Sequence, residues 1–499
     1  MVLNIKMTLN IFLINLIWAA SLFGEIYVSP EGDDTNPGTV DQPLKTITAG
    51  IKAISGTGGL IYLREGVYYF STTLKPEKSG LDTSYNRLWA YPGEKAVIDF
   101  SGQSYSSSSR GINLARYYWH LKGLEIRNAG DNGIIISGSH NIVENCVIHH
   151  CKDTGLQISG YGSYNIIINC DSYLNYDSLT HGENADGFAP KLDIGPGNEF
   201  HGCRAWGNSD DGWDMYEGQS PVLIDSCWAF RNGLNVWGDS NFAGDGNGFK
   251  FGGNYVPAAH IATHCLAFDN VGKGFDQNHN KAGISVFNCT GWRNGRNFVL
   301  AEQPNTLTHV LKNNLSLDAT NSILSTSVQE NNSWNGFTVT ADDFLSLDTA
   351  LALQARNVDG YLPETDFLRL RETSSLVNAG ADVGLAFLGG GPDIGAFEWN
   401  GSSGLGKPTN RPALATLPQN FPNPFNPETI IRFSIDTDRQ VILAVYNMLG
   451  QEIQRLIHQK CVPGEYNVRF NGSGLPSGIY FYRLSLDEQS YTRKMILLR

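Results

Sequence analysis

Through the middle of the chain, apolar residues come in short β-type runs bounded by glycine and polar positions, with no helical periodicity, from roughly Trp119 to Asn332. Six of the eight cysteines mark a repeat within this stretch. They stand at 146, 170, 203, 227, 265 and 289, with gaps of 24, 33, 24, 38 and 24 residues. Three equal gaps define a period, and the longer gaps equal one unit plus 9 and 14 residues, as loops inserted into regular coils would give. A unit of this size cannot bury its own apolar face, so stacking must supply the core. The pattern predicts an all-β chain built on a parallel β-helix rather than a leucine-rich horseshoe.

Other columns follow the same count. Three residues after the cysteines stand Tyr173, Trp206, Phe230, Phe268 and Trp292, an aromatic column suited to stacking inside the solenoid. Five after them stand Asn175, Asn208, Asn232, Asn270 and Asn294, with Asn128 placed likewise in the coil before. Asparagine tolerates left-handed turns and its amide both donates and accepts, so these positions predict an asparagine ladder. Upstream, Ile47, Ile51 and Ile54 at helical spacing predict a helix that caps the open solenoid end, followed by a strand at Leu60 to Leu63. A linker rich in Gly, Ser, Pro and Asn is expected over 400–416. Beyond it, proline turns (Pro418, Pro422, Pro424, Pro427) lead into alternating runs at Ile430 to Ile435, Val441 to Tyr446, Tyr466 to Phe470 and Ile479 to Leu484. These predict a small β-sandwich over 417–499 that carries no catalytic cluster.

Length and charge narrow the partners. The chain of 499 residues has room for two or three domains, and its net charge of −13 gives no electrostatic footprint for nucleic acid. An acidic surface also repels polyanions unless cations are supplied locally. The apolar run from Ile11 to Phe23 is too short to span a bilayer and reads as a signal peptide over 1–24, with cleavage expected between Ser21 and Glu25. No later segment is a membrane candidate, and a monomer is expected.

Three segments of the repeat carry candidate chemistry: Asn184-Ala185-Asp186-Gly187-Phe188, Asp210-Asp211-Gly212-Trp213-Asp214 and Asn247-Gly248-Phe249-Lys250. If each glycine opens a strand and strands stack at about 4.8 Å, Asp186 and Asp211 share one column and Asp214 and Lys250 another. Trp213, Phe249, Phe188 and Phe275 then occupy the alternate, inward column. Asp186, Asp210, Asp211 and Asp214 offer the clustered oxygens that calcium requires. Ordinary turn chemistry for the acids and a solvated surface position for Lys250 are the blander alternatives. A reaction that uses both a calcium ion and a lysine is proton abstraction from C5 of a polyuronate, α to a carboxylate. The cation neutralises the carboxylate, the lysine takes the proton, and loss of the O4 substituent completes β-elimination. Arg231, Arg293 and Arg296 on adjacent turns are either further carboxylate grips or solvated turn residues.

On these residues the chain resembles the family-nine polysaccharide lyases, calcium-dependent pectate lyases built on a right-handed parallel β-helix. The opening Tyr27-Val28-Ser29-Pro30-Glu31-Gly32 and Asn36-Pro37-Gly38-Thr39 fit the same family. The resemblance covers roughly 25–399 and implies an acidic polysaccharide substrate, a Ca2+ cage of Asp186, Asp210, Asp211 and Asp214, and Lys250 as the base. Cys151 stands where the family's asparagine ladder has a rung. Residues 417–499 resemble a type IX secretion C-terminal sorting domain, through LPQNFPNPFNPETIIRFSI, VYNMLGQEI, LPSGIYFYRL and the basic tail Thr492-Arg493-Lys494-Met495. That resemblance implies partnership with the type IX machinery and a destination outside the cell or on its surface. The cysteines are expected as buried free thiols, because parallel stacked side chains point the wrong way for bridging. Two rival readings stay open: a polygalacturonase-like hydrolase working through paired aspartates, which leaves Lys250 without a role, and a non-catalytic surface adhesin.

Overall fold

The computed structural model describes residues 24–399 apart from 55–56 and 386, and residues 415–497 apart from 418–419, 421–424, 436–437, 448–450, 477 and 487–488. All but the last residue of the signal peptide expected over 1–24, most of the linker and the prolines at 418, 422 and 424 lie outside the described residues. Between Glu25 and Glu330 the chain winds through three parallel sheets of 12, 10 and 9 strands, one short strand per sheet per coil. The first sheet begins with Glu25–Val28 paired to Leu60–Leu63, so the coils start well before Trp119. The short helix expected ahead of the coils, Ile47–Ala53, lies instead between the first two of these strands. Thr46 caps it by accepting from the Ala49 amide, and Ile47 and Ile51 are buried in the solenoid core.

Strands of two to five residues leave the alternation of side chains to decide what faces inward. In the third sheet the inward column runs Ile112, Ile134, Leu156, Phe188, Trp213, Phe249, Phe275 and Phe298, all essentially inaccessible. Its rings stack at 4.8 Å for Phe188 on Trp213 and again for Trp213 on Phe249. Each such ring contributes on the order of 2 kcal/mol of burial. The same column fixes the outward face beside it, which carries Asp214 and Lys250 in direct register.

The asparagine column forms the expected ladder from Asn175 to Asn294, each rung donating its amide to Oδ1 of the next. Two details differ from the sequence reading. Asn128 is not a rung, because the coil joining Glu125 to Val147 is 22 residues long and puts Ala129 in the column. Asn128 instead donates to the Asp99 carboxylate. The left-handed residue is not the asparagine but its predecessor: Leu174, Gly207, Arg231, Asp269 and Arg293 all have φ between 51° and 62°. Shorter ladders, Asn141 to Asn165 to Asn198 and Asn314 to Asn332 to Asn335, line other turns.

The aromatic column lies outside the solenoid, contrary to expectation. Cys227 and Ala229 face the core, so by alternation Trp228 and Phe230 face out. Tyr173, Trp206, Phe230 and Phe268 stack successively on the outer face of the second sheet. Phe344, Phe367, Leu368, Leu370, Leu376 and Ile394 from the segment after the coils cover its C-terminal part. That segment is anchored further by Arg356, which with Arg204 clamps the buried Asp171 carboxylate at 2.6 and 2.7 Å. The two guanidinium groups overcome the cost of burying Asp171 and hold its pKa below the usual range.

All eight cysteines are free and buried, as expected. The backbone amides of Cys170, Cys203 and Cys265 donate to the sulfur of the next coil's thiol at 3.3–3.4 Å. The C-terminal region has antiparallel sheets of three and four strands around a core that includes Phe433, Leu443, Phe470 and Tyr482. Strands Glu452–Cys461 and Gln489–Leu497 were not anticipated, because charged residues interrupt their alternation. Ala415 and Thr416, expected as the end of the linker, pair with Ile435 and Ser434. Among the described residues no helix is long and apolar enough to cross a membrane.

Candidate active site

Gly187, Gly212 and Gly248 bring the acidic coils together because nothing larger fits. A Cβ on Gly212 would lie 2.6 Å from the Gly248 carbonyl oxygen and 3.0 Å from the Asn232 amide; on Gly187 it would lie 2.5 Å from the Ala205 methyl. The ladder thus presses the turn before the third sheet so tightly that only glycine can open each strand. The residue before each glycine is turned toward its equivalent on the next coil, as the Asp211 amide donating to Asp186 Oδ1 at 3.1 Å shows.

Carboxylate oxygens of Asp186, Asp211 and Asp214 lie within 4.8 Å of one another, and all three residues are buried. Asp210 does not join that triad. It groups with Asp211 and the exposed Asp245, and its oxygens accept the amides of Asn184 and Asp245 at 3.1 and 2.7 Å. Each amide belongs to a different loop insertion, so Asp210 ties both to the strand. Asp211 Oδ1 accepts from Asn247 at 2.7 Å, while its buried Oδ2 accepts no hydrogen bond and faces the Lys250 ammonium at 3.0 Å. Lys250 also meets Asp245 at 3.1 Å and Asp214 at 3.8 Å.

Burial dominates the electrostatics. It pushes Asp186 up to about 8, with repulsion from Asp214 and Asp210 opposing the pull of Lys191, and pushes Asp211 up to about 7 against the pull of Lys250. Asp210 is raised as well, by burial and then by Asp211. Burial works against the charge on Lys250, but Asp211, Asp214, Asp210 and Asp245 prevail and hold its ammonium well above the ordinary lysine range. An orphaned carboxylate oxygen, three facing acids and hard donors throughout make this a fit for a divalent oxygen-seeking cation.

Two residues of the site went unnoticed in the sequence. Lys191 donates to Asp186 Oδ2 at 2.8 Å and contacts Asp214 Oδ2 at 3.2 Å. It stands four residues after Gly187, an even offset like that of Asp214 from Gly212, and that parity was its available signal. Asp245 sits on a loop insertion, where no register reaches. The arginines are engaged elsewhere: Arg293 pairs bidentately with Asp269 at 2.8 Å over the Trp292 ring, and Arg231 donates to Thr349. Arg296 stays exposed on the third sheet beside Lys273. The two insertions form a wall beside the acids. Tyr176 stacks on Trp237 at 4.6 Å, and Asp239 accepts from the Tyr176 hydroxyl at 2.8 Å and contacts His181 at 3.0 Å.

Comparison with known proteins agrees along the chain. Residues 26–338 match the family described as "Pel9A-like, right handed beta helix region", and 419–498 match the secretion system C-terminal sorting domain. Pectate lyase L of Dickeya dadantii is 43% identical over 385 residues, 75% of this chain and 90% of that protein. The crystal structure of pectate lyase Pel9A superposes with a TM-score of 0.72 at 42% identity, covering 76% of this chain and 98% of the other. A rhamnogalacturonan lyase superposes with a TM-score of 0.63 at 29% identity, over 70% and 97% of the two chains.

Proposed function

Because the chain belongs to the Pel9A-like family of right-handed β-helices, we propose that it is a secreted pectate lyase-type polysaccharide lyase. In this reading it cleaves pectate-like uronate polymers by β-elimination. The observation that carries the assignment is Lys250, in register with Asp214 and 3.0 Å from Asp211 at the edge of the acidic triad. The polygalacturonase-like and adhesin readings give that lysine no task.

Asp186, Asp210, Asp211 and Asp214 would hold calcium: Asp186, Asp211 and Asp214 share one cluster of oxygens, and Asp210 shares a second with Asp211 while bracing the two insertions. When bound, calcium supplies positive charge that neutralises the substrate carboxylate and acidifies the proton at C5. The carboxylates that hold the Lys250 ammonium up are largely the ones that would turn to the cation; with their pull relieved, Lys250 as the free amine accepts that proton at Nζ. The electron pair of the C5–H bond becomes the C4–C5 double bond, and the C4–O4 bond breaks with O4 leaving on the departing sugar. Asp211 and Asp245 stand at hydrogen-bonding distance from the ammonium that forms. The wall of Tyr176 and Trp237 would bound one side of the substrate site.

The organisation we assign is a signal peptide over 1–24, the lyase over 25–399, a linker over 400–416 and a type IX sorting domain over 417–499. The sorting domain directs the enzyme to the cell surface or beyond. Assay of a uronate-polymer panel tests the whole reading. Wild type should release unsaturated, ultraviolet-absorbing ends only with calcium present, and Lys250→Met should release none. Saturated ends, or turnover indifferent to EGTA, would refute it.

A further inference from the structure

We propose that Lys191 is a built-in competitor for the metal. Its ammonium bridges Asp186 and Asp214 until a cation takes that position, and it then passes to the carboxylate of the incoming uronate. The inference rests on the functional reading above. Lys191 Nζ lies 2.8 Å from Asp186 Oδ2 and 3.2 Å from Asp214 Oδ2, so one ammonium joins two members of the triad. Calcium binds carboxylate oxygens at about 2.3–2.6 Å. An ion engaging both residues through these oxygens therefore needs the space the ammonium fills, and the two cannot share it.

The two lysines of the site differ in what they would keep. Lys250 contacts Asp245, which lies outside the triad on a loop insertion, and so retains a partner when Asp211 and Asp214 turn to a metal. The ion pairs of Lys191 are both to triad members, so metal entry strips it of them. Its flexible stem starts at the end of strand Phe188–Pro190, on the coil preceding Asp214. From there the ammonium reaches the acids on the outward side of the third sheet. Asp153 attracts the ammonium without forming an ion pair with it, so the displaced group needs a closer counter-ion, and the uronate carboxylate is the one the reaction brings. Lys191 would then grip the substrate on one flank of the metal while Lys250 works on the other.

Calorimetric calcium titration of the metal-stripped full-length protein tests the exchange, together with steady-state kinetics on polygalacturonate. Lys191→Met and Lys191→Gln remove the competitor and should bind calcium about tenfold more tightly than wild type, the scale set by one lost neighbouring charge. Their KM should rise about five- to tenfold with kcat changed less than about threefold, the pattern of lost substrate binding. Lys191→Arg should restore both quantities toward wild type. Unchanged or weaker calcium binding in the two neutral variants would overturn the competition, and an unchanged KM would overturn the handover. Failure of the wild type to bind calcium would overturn the functional reading instead.

Discussion

Replacing Asn232 by leucine puts the ladder itself under test. The two side chains are similar in size, so the substitution removes hydrogen bonds with little change of volume. Asn232 is fully buried. Its Oδ1 accepts the backbone and side-chain amides of Asn208, both at 3.1 Å, and its Nδ2 donates to Asn270 Oδ1 at 2.9 Å and to the Ala205 carbonyl at 3.3 Å. Four bonds are lost, but the losses are unequal. The Asn208 backbone amide becomes a buried donor without a partner, costing about 1–3 kcal/mol, and the other three bonds cost roughly 0.5–1.5 kcal/mol each. Because Asn208 Nδ2 keeps the Ser172 carbonyl, the total should fall near 3–5 kcal/mol. Urea unfolding followed by tryptophan fluorescence reads this directly, since Trp206 and Trp213 lie on the coil below. Asn232 also opens the insertion that leads to Lys250, so calcium affinity should weaken in parallel. A loss of stability below about 1 kcal/mol would refute the view that these amides hold the turn.

Three further outcomes follow from the same structure. Asp211→Asn should lower calcium affinity by about 100-fold or more with the fold retained, since it removes the charge of the orphaned oxygen but not its shape; a calorimetric change under threefold would contradict the site. Glu144 is held down at about 2, chiefly by the His120 hydrogen bond and by Lys122, so its contribution is complete above the ordinary glutamate range and vanishes as pH falls through about 2. Glu144→Gln should therefore be less stable than wild type by about 2 kcal/mol at pH 6, with the gap closing below pH 3 in thermal melts; a gap independent of pH would refute the pairing. Phe367→Ala should cost about 3–5 kcal/mol locally, because the ring packs edge-on against Phe268 at 4.9 Å. Limited proteolysis should then cut within 338–398 while the coils stay intact, and protection equal to wild type would argue against the packing.

Much of the architecture was legible because a solenoid writes its geometry as a count. Equal cysteine gaps gave the coil, and a shared glycine gave the register of Asp214 with Lys250. The count fails where coil length changes: a 22-residue turn moved the column from Asn128 to Ala129. It also says nothing of handedness between inside and outside without alternation, which is why Tyr173, Trp206 and Phe230 were assigned to the wrong face. Alanine and cysteine filled the inner positions, leaving the large rings outside. Lys191 followed the parity rule but stood beyond the glycine motif, and Asp245 lies on a loop that no repeat constrains. The cover over the second sheet comes from residues 338–398, whose short 3-10 turns carry no period at all.

The thiol column sets a condition on how this protein reaches its destination. Folded, the six stacked cysteines are sealed from oxidants, each lying 24 to 38 residues from the next along the chain. Unfolded, they and the chain's other two cysteines are eight reactive groups in an envelope that oxidises thiols. A disulfide formed at that stage would join coils whose side chains must instead lie parallel, and parallel pairing across such separations is slow. Export is thus a race between winding and oxidation, one that winding has to win for the thiol column to close.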